Sequence, residues 1–223
     1  MTATSDTLPT QASTDAPYLL PTRTWALAMA ILALVWLAML AAGPNAFGLK
    51  ILQLSPAASD SRLAAVALFF TQIEAFLLPL GIVAAGWLAT RDRKLDAIIL
   101  VASMLTERLL VNVQKAEFLR GRPDYHLWLA PADGLSFPSG HAASSMLICS
   151  LTAFLIAPPQ WRKIAVGAAI ALSICVGLSR MLLRVHWPTD VIAGWAFGLF
   201  WMLGALMVLG SLRQAQRPLP LSS

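Results

Sequence analysis

Charge is scarce in this chain. Asp, Glu, Lys and Arg make up 12% of its 223 residues, about half the ~25% usual in soluble domains. A soluble fold with an ordinary solvated surface is therefore excluded. Cysteine is nearly absent. Cys149 and Cys175 are the only two, and both sit inside apolar runs, where they read as small buried hydrophobes rather than a disulfide or a thiol nucleophile. No zinc-ligand spacing, no glycine-rich nucleotide loop and no internal repeat is present, which removes zinc modules, nucleotide-binding folds and solenoids.

Apolar sequence fills the space instead. Hydrophobic residues reach 58% and the mean hydropathy is +0.70. They come in long runs, not at amphipathic spacing, so a bilayer is the expected solvent. Six spans are expected, over about 25–43, 63–89, 96–116, 141–157, 163–182 and 190–210. The fourth is short for a crossing of about 20 residues, and the third is polar at its far end. Residues 1–22 read as a disordered cytoplasmic tail, 23–211 as one six-span domain and 212–223 as a second cytoplasmic tail. The first apolar run is too long for most signal peptides and is taken as a retained span.

The net charge is +5. The cations lie in short loops between apolar runs, so membrane topology explains them better than nucleic acid does. With six crossings one side holds Arg23, Arg91, Arg93, Lys94, Arg162, Lys163, Arg213 and Arg217. The other holds Lys50, Arg62, Lys115, Arg120, Arg122, Arg180 and Arg184. Setting aside Lys115, Arg122 and Arg180 as functional candidates leaves eight cations against four. The positive-inside tendency then puts both termini in the cytoplasm.

Three polar clusters interrupt the apolar pattern: Lys115 with Arg122-Pro123; Pro138-Ser139-Gly140-His141; and Ser179-Arg180 with His186 and Asp190. The first two share one loop. From His141 the chain makes two crossings before Ser179, so all three clusters meet at one membrane face. Converging cations need an anion between them, and guanidinium groups grip phosphate in a fork. "PSGH" at the start of a span adds helix N-terminal N–H groups, and Gly140 lets the backbone approach closely. Pro188 opens the sixth span. That puts Asp190 in its first turn, able to hold one ring nitrogen of His186 while the other attacks phosphorus. His141 is then the general acid. His126 lacks a comparable partner and reads as a loop residue. Arg184 is either a headgroup contact or a solvated cation. Deep in the second and third spans, Glu74 and Arg108 lie at similar depths. Either they form a buried pair that fixes the rotation of the third span and aims Lys115, or Arg108 is met by water or a backbone carbonyl.

The order and spacing of these residues resemble the three-part signature of the type 2 phosphatidic acid phosphatase family, over 115–190. The resemblance implies an all-α, six-helix membrane phosphatase with a phosphohistidine intermediate, no metal or other cofactor, and an outward-facing site at the bacterial inner membrane. By that match His186 is the nucleophile, Asp190 its partner and His141 the acid, while Lys115, Arg122, Ser139, Gly140 and Arg180 hold phosphate. Soluble haloperoxidases share the signature, but the apolar spans argue against them. The partners expected are the bilayer and a lipid phosphate, with no obligate protein partner. Undecaprenyl diphosphate is favoured, and phosphatidylglycerophosphate, phosphatidate and lipid A phosphate are alternatives. A phosphotransferase using the same intermediate is a second function, and a phosphate-binding transporter a third.

Overall fold

The computed structural model describes residues 22–55 and 61–216. Of the tails expected at 1–22 and 212–223, residues 1–21 and 217–223, Arg217 among them, lie outside the described residues, and 212–215 continues the last helix instead of forming a tail. The described chain is helical: α1 (Thr22–Ala42), α2 (Ala46–Gln53), α3 (Arg62–Thr90), α4 (Lys94–Phe118), α5 (Gly140–Ile156), α6 (Arg162–Leu182) and α7 (Pro188–Ala215), with a 3-10 turn at Tyr125–Leu127. Each expected span coincides with a long helix. Four stretches, Arg23–Ala42, Arg62–Thr90, Arg162–Leu182 and Pro188–Ala215, are long and apolar enough to cross a membrane. α4 and α5 do not reach that mark by themselves: α4 carries too many charges, and α5 has 17 residues. The short α2 was not expected. Asn45 caps it by accepting from the Gly48 N–H at 2.7 Å.

The bundle is built around α5, which packs against α3, α4, α6 and α7. Most of α5 is buried, including Leu147, Leu151 and Leu155, which join Leu77, Leu88, Leu100, Met104, Leu206 and Leu209 in the main core. Glycines on α7 let it lie directly against α5. A Cβ at Gly194 would come within 2.6 Å of the Ser139 carbonyl oxygen, and one at Gly198 would meet the Ala143 carbonyl oxygen. Gly194 and Gly198 are one turn apart, the small-residue spacing that allows close helix contact in membranes. The outer surfaces are apolar instead of charged. Leu27, Ile31, Leu34, Phe69, Phe76, Val83, Leu105, Leu109, Ile164 and Val208 all face outward, as a lipid-facing surface requires.

The two ends of the bundle differ. At one end, buried Asp96 of α4 takes Arg93 and Arg213 at 2.6 Å each, tying the start of α4 to the end of α7. The other end gathers the C-termini of α1, α4 and α6 with the N-termini of α3, α5 and α7. Backbone bonds stitch that end together: the Ser139 N–H donates to the Asp190 carbonyl at 3.0 Å, and the Leu129 N–H to the Leu183 carbonyl at 3.0 Å.

Candidate active site

α7 starts where Pro188 supplies a fixed φ and needs no N–H partner. Its first turn is closed by Asp190, whose Oδ2 accepts from the Trp187 N–H at 3.0 Å. The same oxygen lies 3.4 Å from Nδ1 of His186. Both side chains are almost fully enclosed. The other ring nitrogen, Nε2, lies 3.0 Å from Nη1 of Arg122. A guanidinium has no acceptor, so Nε2 accepts and the ring proton sits on Nδ1, facing Asp190. Burial pushes the His186 imidazole down to about 4, even though its Asp190 partner pulls the other way. The ring is therefore neutral at pH 7, with its lone pair directed at the cationic wall.

That wall belongs to a cavity of about 610 Å3 lined by α3, α4, α6, the start of α5 and the 131–135 loop. Lys115, Arg108, Arg122 and Arg180 line it against two carboxylates, Glu74 and Asp133. Three of these cations lean on neutral oxygens. Lys115 Nζ donates to the Leu135 carbonyl at 2.7 Å. Arg122 donates to the carbonyls of Asp133 (2.7 Å), Val185 (2.8 Å) and Gly134 (3.0 Å). Burial draws the Arg122 guanidinium below its usual range, with Asp190 and then Asp133 opposing. Arg180 Nη1 donates to Thr71 Oγ1 at 2.5 Å, while its buried Nε has no partner. Gly140 and His141 line the cavity at the N-terminus of α5, where unpaired backbone N–H groups and the positive end of the helix dipole attract an anion. Ser139 is the residue before the helix. Its hydroxyl is buried and unpartnered, and it lies behind the lining rather than on it.

The eight residues singled out from the signature come together at this end of the bundle: Lys115, Arg122, Gly140, His141, Arg180 and His186 line the cavity, and Ser139 lies behind the lining. Asp190 stands behind His186, outside the lining. The expected Glu74–Arg108 pair is present at 3.4 Å, but it is not buried. The Arg108 side chain is 57% exposed and the Glu74 side chain 24%, because both open onto the cavity. Glu74 also faces His141 Nε2 at 3.9 Å. His126 lies in the 3-10 turn with its ring against Tyr125, apart from the cavity lining. Arg184 is anchored, donating to the Ser55 carbonyl at 3.1 Å. Two charged residues escaped the sequence argument. Glu107 is buried and accepts from Ser144 Oγ at 3.1 Å, and Arg120 is buried against Asp190 at 3.0 Å. Among the described residues, no group of three or more His, Cys, Asp or Glu side chains comes together to hold a metal ion.

A neutral imidazole backed by a carboxylate, opposite a cluster of guanidinium and ammonium groups, can bind a phosphate and present a nitrogen to its phosphorus. The arrangement offers an anion-binding cavity built into an apolar helix bundle. The chain belongs to the PAP2 superfamily, whose profile matches residues 96–213. It is 30% identical over 129 residues to phosphatidylglycerophosphatase B of Bacillus subtilis, covering 56% of this chain and 63% of that protein. It is 39% identical over 116 residues to an undecaprenyl-diphosphatase of Sulfolobus acidocaldarius, covering 48% and 52%. The chain thus spans less than two thirds of the length of these curated relatives. The crystal structure of a transmembrane PAP2-type phosphatidylglycerolphosphate phosphatase from Bacillus subtilis superposes with a TM-score of 0.72 at 28% identity, covering 86% of this chain and 99% of that one. The protein is a multi-pass membrane protein of this superfamily.

Proposed function

We propose that the protein is a metal-independent lipid phosphate phosphatase that works through a phosphohistidine on His186. The observation that carries this is the His186 ring itself: Nδ1 backed by Asp190, Nε2 turned toward Arg122 and the cationic cavity. An arriving phosphate replaces carbonyl oxygens as the partner of Lys115 and Arg122, satisfies the free Nε of Arg180, and frees Nε2 from Arg122. The lone pair of Nε2 then attacks phosphorus and the bond from phosphorus to the lipid oxygen breaks. His141 gives the departing oxygen its proton. In the second step water attacks the phosphohistidine, His141 takes the water's proton, and inorganic phosphate leaves with His186 restored. The imidazolium character that develops on His186 is stabilised by Asp190.

The substrate is a lipid phosphate whose tail stays in the bilayer. Undecaprenyl diphosphate and phosphatidylglycerophosphate lead, since relatives carry both names. Residues 23–211 form six spans with both termini cytoplasmic and the cavity outside, at a bacterial inner membrane. The purified protein, given a panel of lipid phosphates in vesicles, releases inorganic phosphate, and EDTA leaves the rate unchanged. Transfer of phosphate from lipid to lipid without release would make it a phosphotransferase. Loss of activity in EDTA with recovery in Mg²⁺ would overturn the histidine mechanism. A periplasm-active reporter is active after Gly134 and silent after Ser223; the reverse pattern would invert the orientation.

A further inference from the structure

Arg120 lies just past α4, and its carbonyl accepts from Ser136 twice, from the N–H at 2.8 Å and from Oγ at 3.2 Å. Its side chain points the other way, behind the nucleophile. Nη1 donates to Asp190 Oδ1 at 3.0 Å and to Thr189 Oγ1 at 3.3 Å. Nη2 donates to the carbonyls of Leu40 at 2.8 Å and Met39 at 3.4 Å, in the last turn of α1. The guanidinium stacks on the Phe137 ring at 4.0 Å. The side chain is 7% exposed and does not line the cavity.

Each oxygen of Asp190 therefore has its own task. Oδ2 serves the Trp187 N–H and His186 Nδ1, and Oδ1 serves Arg120. A planar guanidinium fixes the plane of its carboxylate in a way a point charge cannot. The far side of the fork rests on the Leu40 and Met39 carbonyls of the last turn of α1, at the negative end of the dipole, where Met39 also accepts from the Gly43 N–H. Thr189 adds a second tie, donating to the Gly43 carbonyl at 3.3 Å. We propose that Arg120 is a positioning residue for the nucleophile: it locks the Asp190 carboxylate between α1 and α7, and through it the Nδ1–H form of His186. The catalytic consequence rests on the phosphatase reading above.

Loss of Arg120 leaves Asp190 free to turn and exposes its full charge to the imidazole. The other charged groups around that ring stay in place: Arg122 from the loop after α4, Arg180 from α6, His141 from α5 and Lys115 from α4. The His186 titration then moves up, and the ring, no longer held by a fixed carboxylate, loses its alignment for attack.

The test uses the purified full chain as wild type, Arg120→Gln and Arg120→Lys. In Arg120→Gln, kcat per folded molecule falls about 30-fold or more, while KM and the inhibition constant of inorganic phosphate stay within about threefold. The His186 midpoint, followed by NMR of ¹⁵N-labelled histidine, rises by about one pH unit. Arg120→Lys keeps the charge but not the fork, so the midpoint holds and kcat falls by roughly a third to a half as many decades. A rise in KM with kcat intact, or kcat losses without any movement of the His186 midpoint in Arg120→Gln, overturns the proposal. If Arg120→Gln does not fold, Arg120→Lys decides alone: unchanged kcat refutes it. A wild type inactive on every lipid phosphate sinks the phosphatase reading, yet the His186 titration still tests the arginine.

Discussion

Gly194→Ala adds one methyl group to α7, four residues after Asp190 and outside the cavity lining, yet it should damage catalysis. The methyl carbon would lie 2.6 Å from the Ser139 carbonyl oxygen, 2.9 Å from Ala142 Cβ and 3.2 Å from the Ala143 nitrogen. Two of these neighbours are backbone, so no side chain can swing aside. Ordinary contact begins at about 3.4 Å, and the N-terminus of α5 must retreat by roughly 0.8 Å. Overpacking of this kind costs about 1–3 kcal/mol. The displacement falls on Ser139, Gly140 and His141 together, and it strains the bond from the Ser139 N–H to the Asp190 carbonyl. His141 then moves relative to His186, which stays with α7. A misplacement near 1 Å can cost about 10²-fold in rate. The assay is kcat on the best lipid phosphate, corrected for folded protein and compared with Gly204→Ala, where nothing lies within 4 Å. Gly204→Ala should keep its activity and gain up to about 1 kcal/mol from helix propensity. Gly194→Ala with kcat within threefold of wild type would show that the α5–α7 contact does not set the distance between the two histidines.

His186→Ala should abolish phosphate release, and Asp190→Asn should lower kcat by on the order of 10³-fold or more while inorganic phosphate still binds; a turnover-competent His186→Ala refutes the mechanism. The depressed His186 midpoint, near 4, has a definite sign. The reactive neutral ring survives as pH falls through 6 and is lost only near the lowered value, so kcat/KM, corrected for titration of the substrate phosphate, should hold to about pH 5; an acid limb at the ordinary histidine value would contradict the enclosure of the ring. For Glu74 and Arg108, the open setting replaces the large coupling a buried pair would show: a double-mutant cycle on stability with Glu74→Gln and Arg108→Gln should give about 1 kcal/mol or less. A coupling near 3 kcal/mol would mean that the pair closes off from water.

Much of the fold and the site was legible because both rest on local signals. Long apolar runs in a low-charge chain have few outcomes other than apolar helices, so α1 and α3 to α7 follow from composition and length as helices, four of them long and apolar enough to cross a membrane. The signature residues carry their own geometry: Pro188 starts α7, and four residues separate His186 from Asp190. What stayed hidden depends on neighbours that are distant in sequence. Arg120 looked like one more loop cation in a count of charges, since nothing in "KAEFLRGRP" says that its side chain turns inward between α1 and Asp190. The carbonyls of the 131–135 loop that hold Lys115 and Arg122 have no side-chain signal at all. Glu74 and Arg108 were placed at matching depth correctly, but depth along a helix does not tell a dry core from a wet cavity. Exposure was the part the spacing could not carry.

The charge balance of the cavity joins these observations. Four cations face two carboxylates around the space in front of His186, and the excess has no counter-charge in the lining. Carbonyl dipoles from 133–135 and Val185 compensate part of it, and an arriving phosphate dianion would compensate the rest. Asp190 cannot take that role, because it is enclosed behind the ring and held on both oxygens. The two kinds of negative charge are thereby kept on opposite sides of one imidazole: a fixed carboxylate on Nδ1 and an exchangeable phosphate at Nε2. Asp190 accepting at Nδ1 and the Arg122 guanidinium donating at Nε2 both favour the tautomer with its proton on Nδ1 and its lone pair on Nε2. On the phosphatase reading the ring is set for attack before substrate arrives, and its burial, with a smaller push from Arg122 and Arg180, keeps it from being protonated.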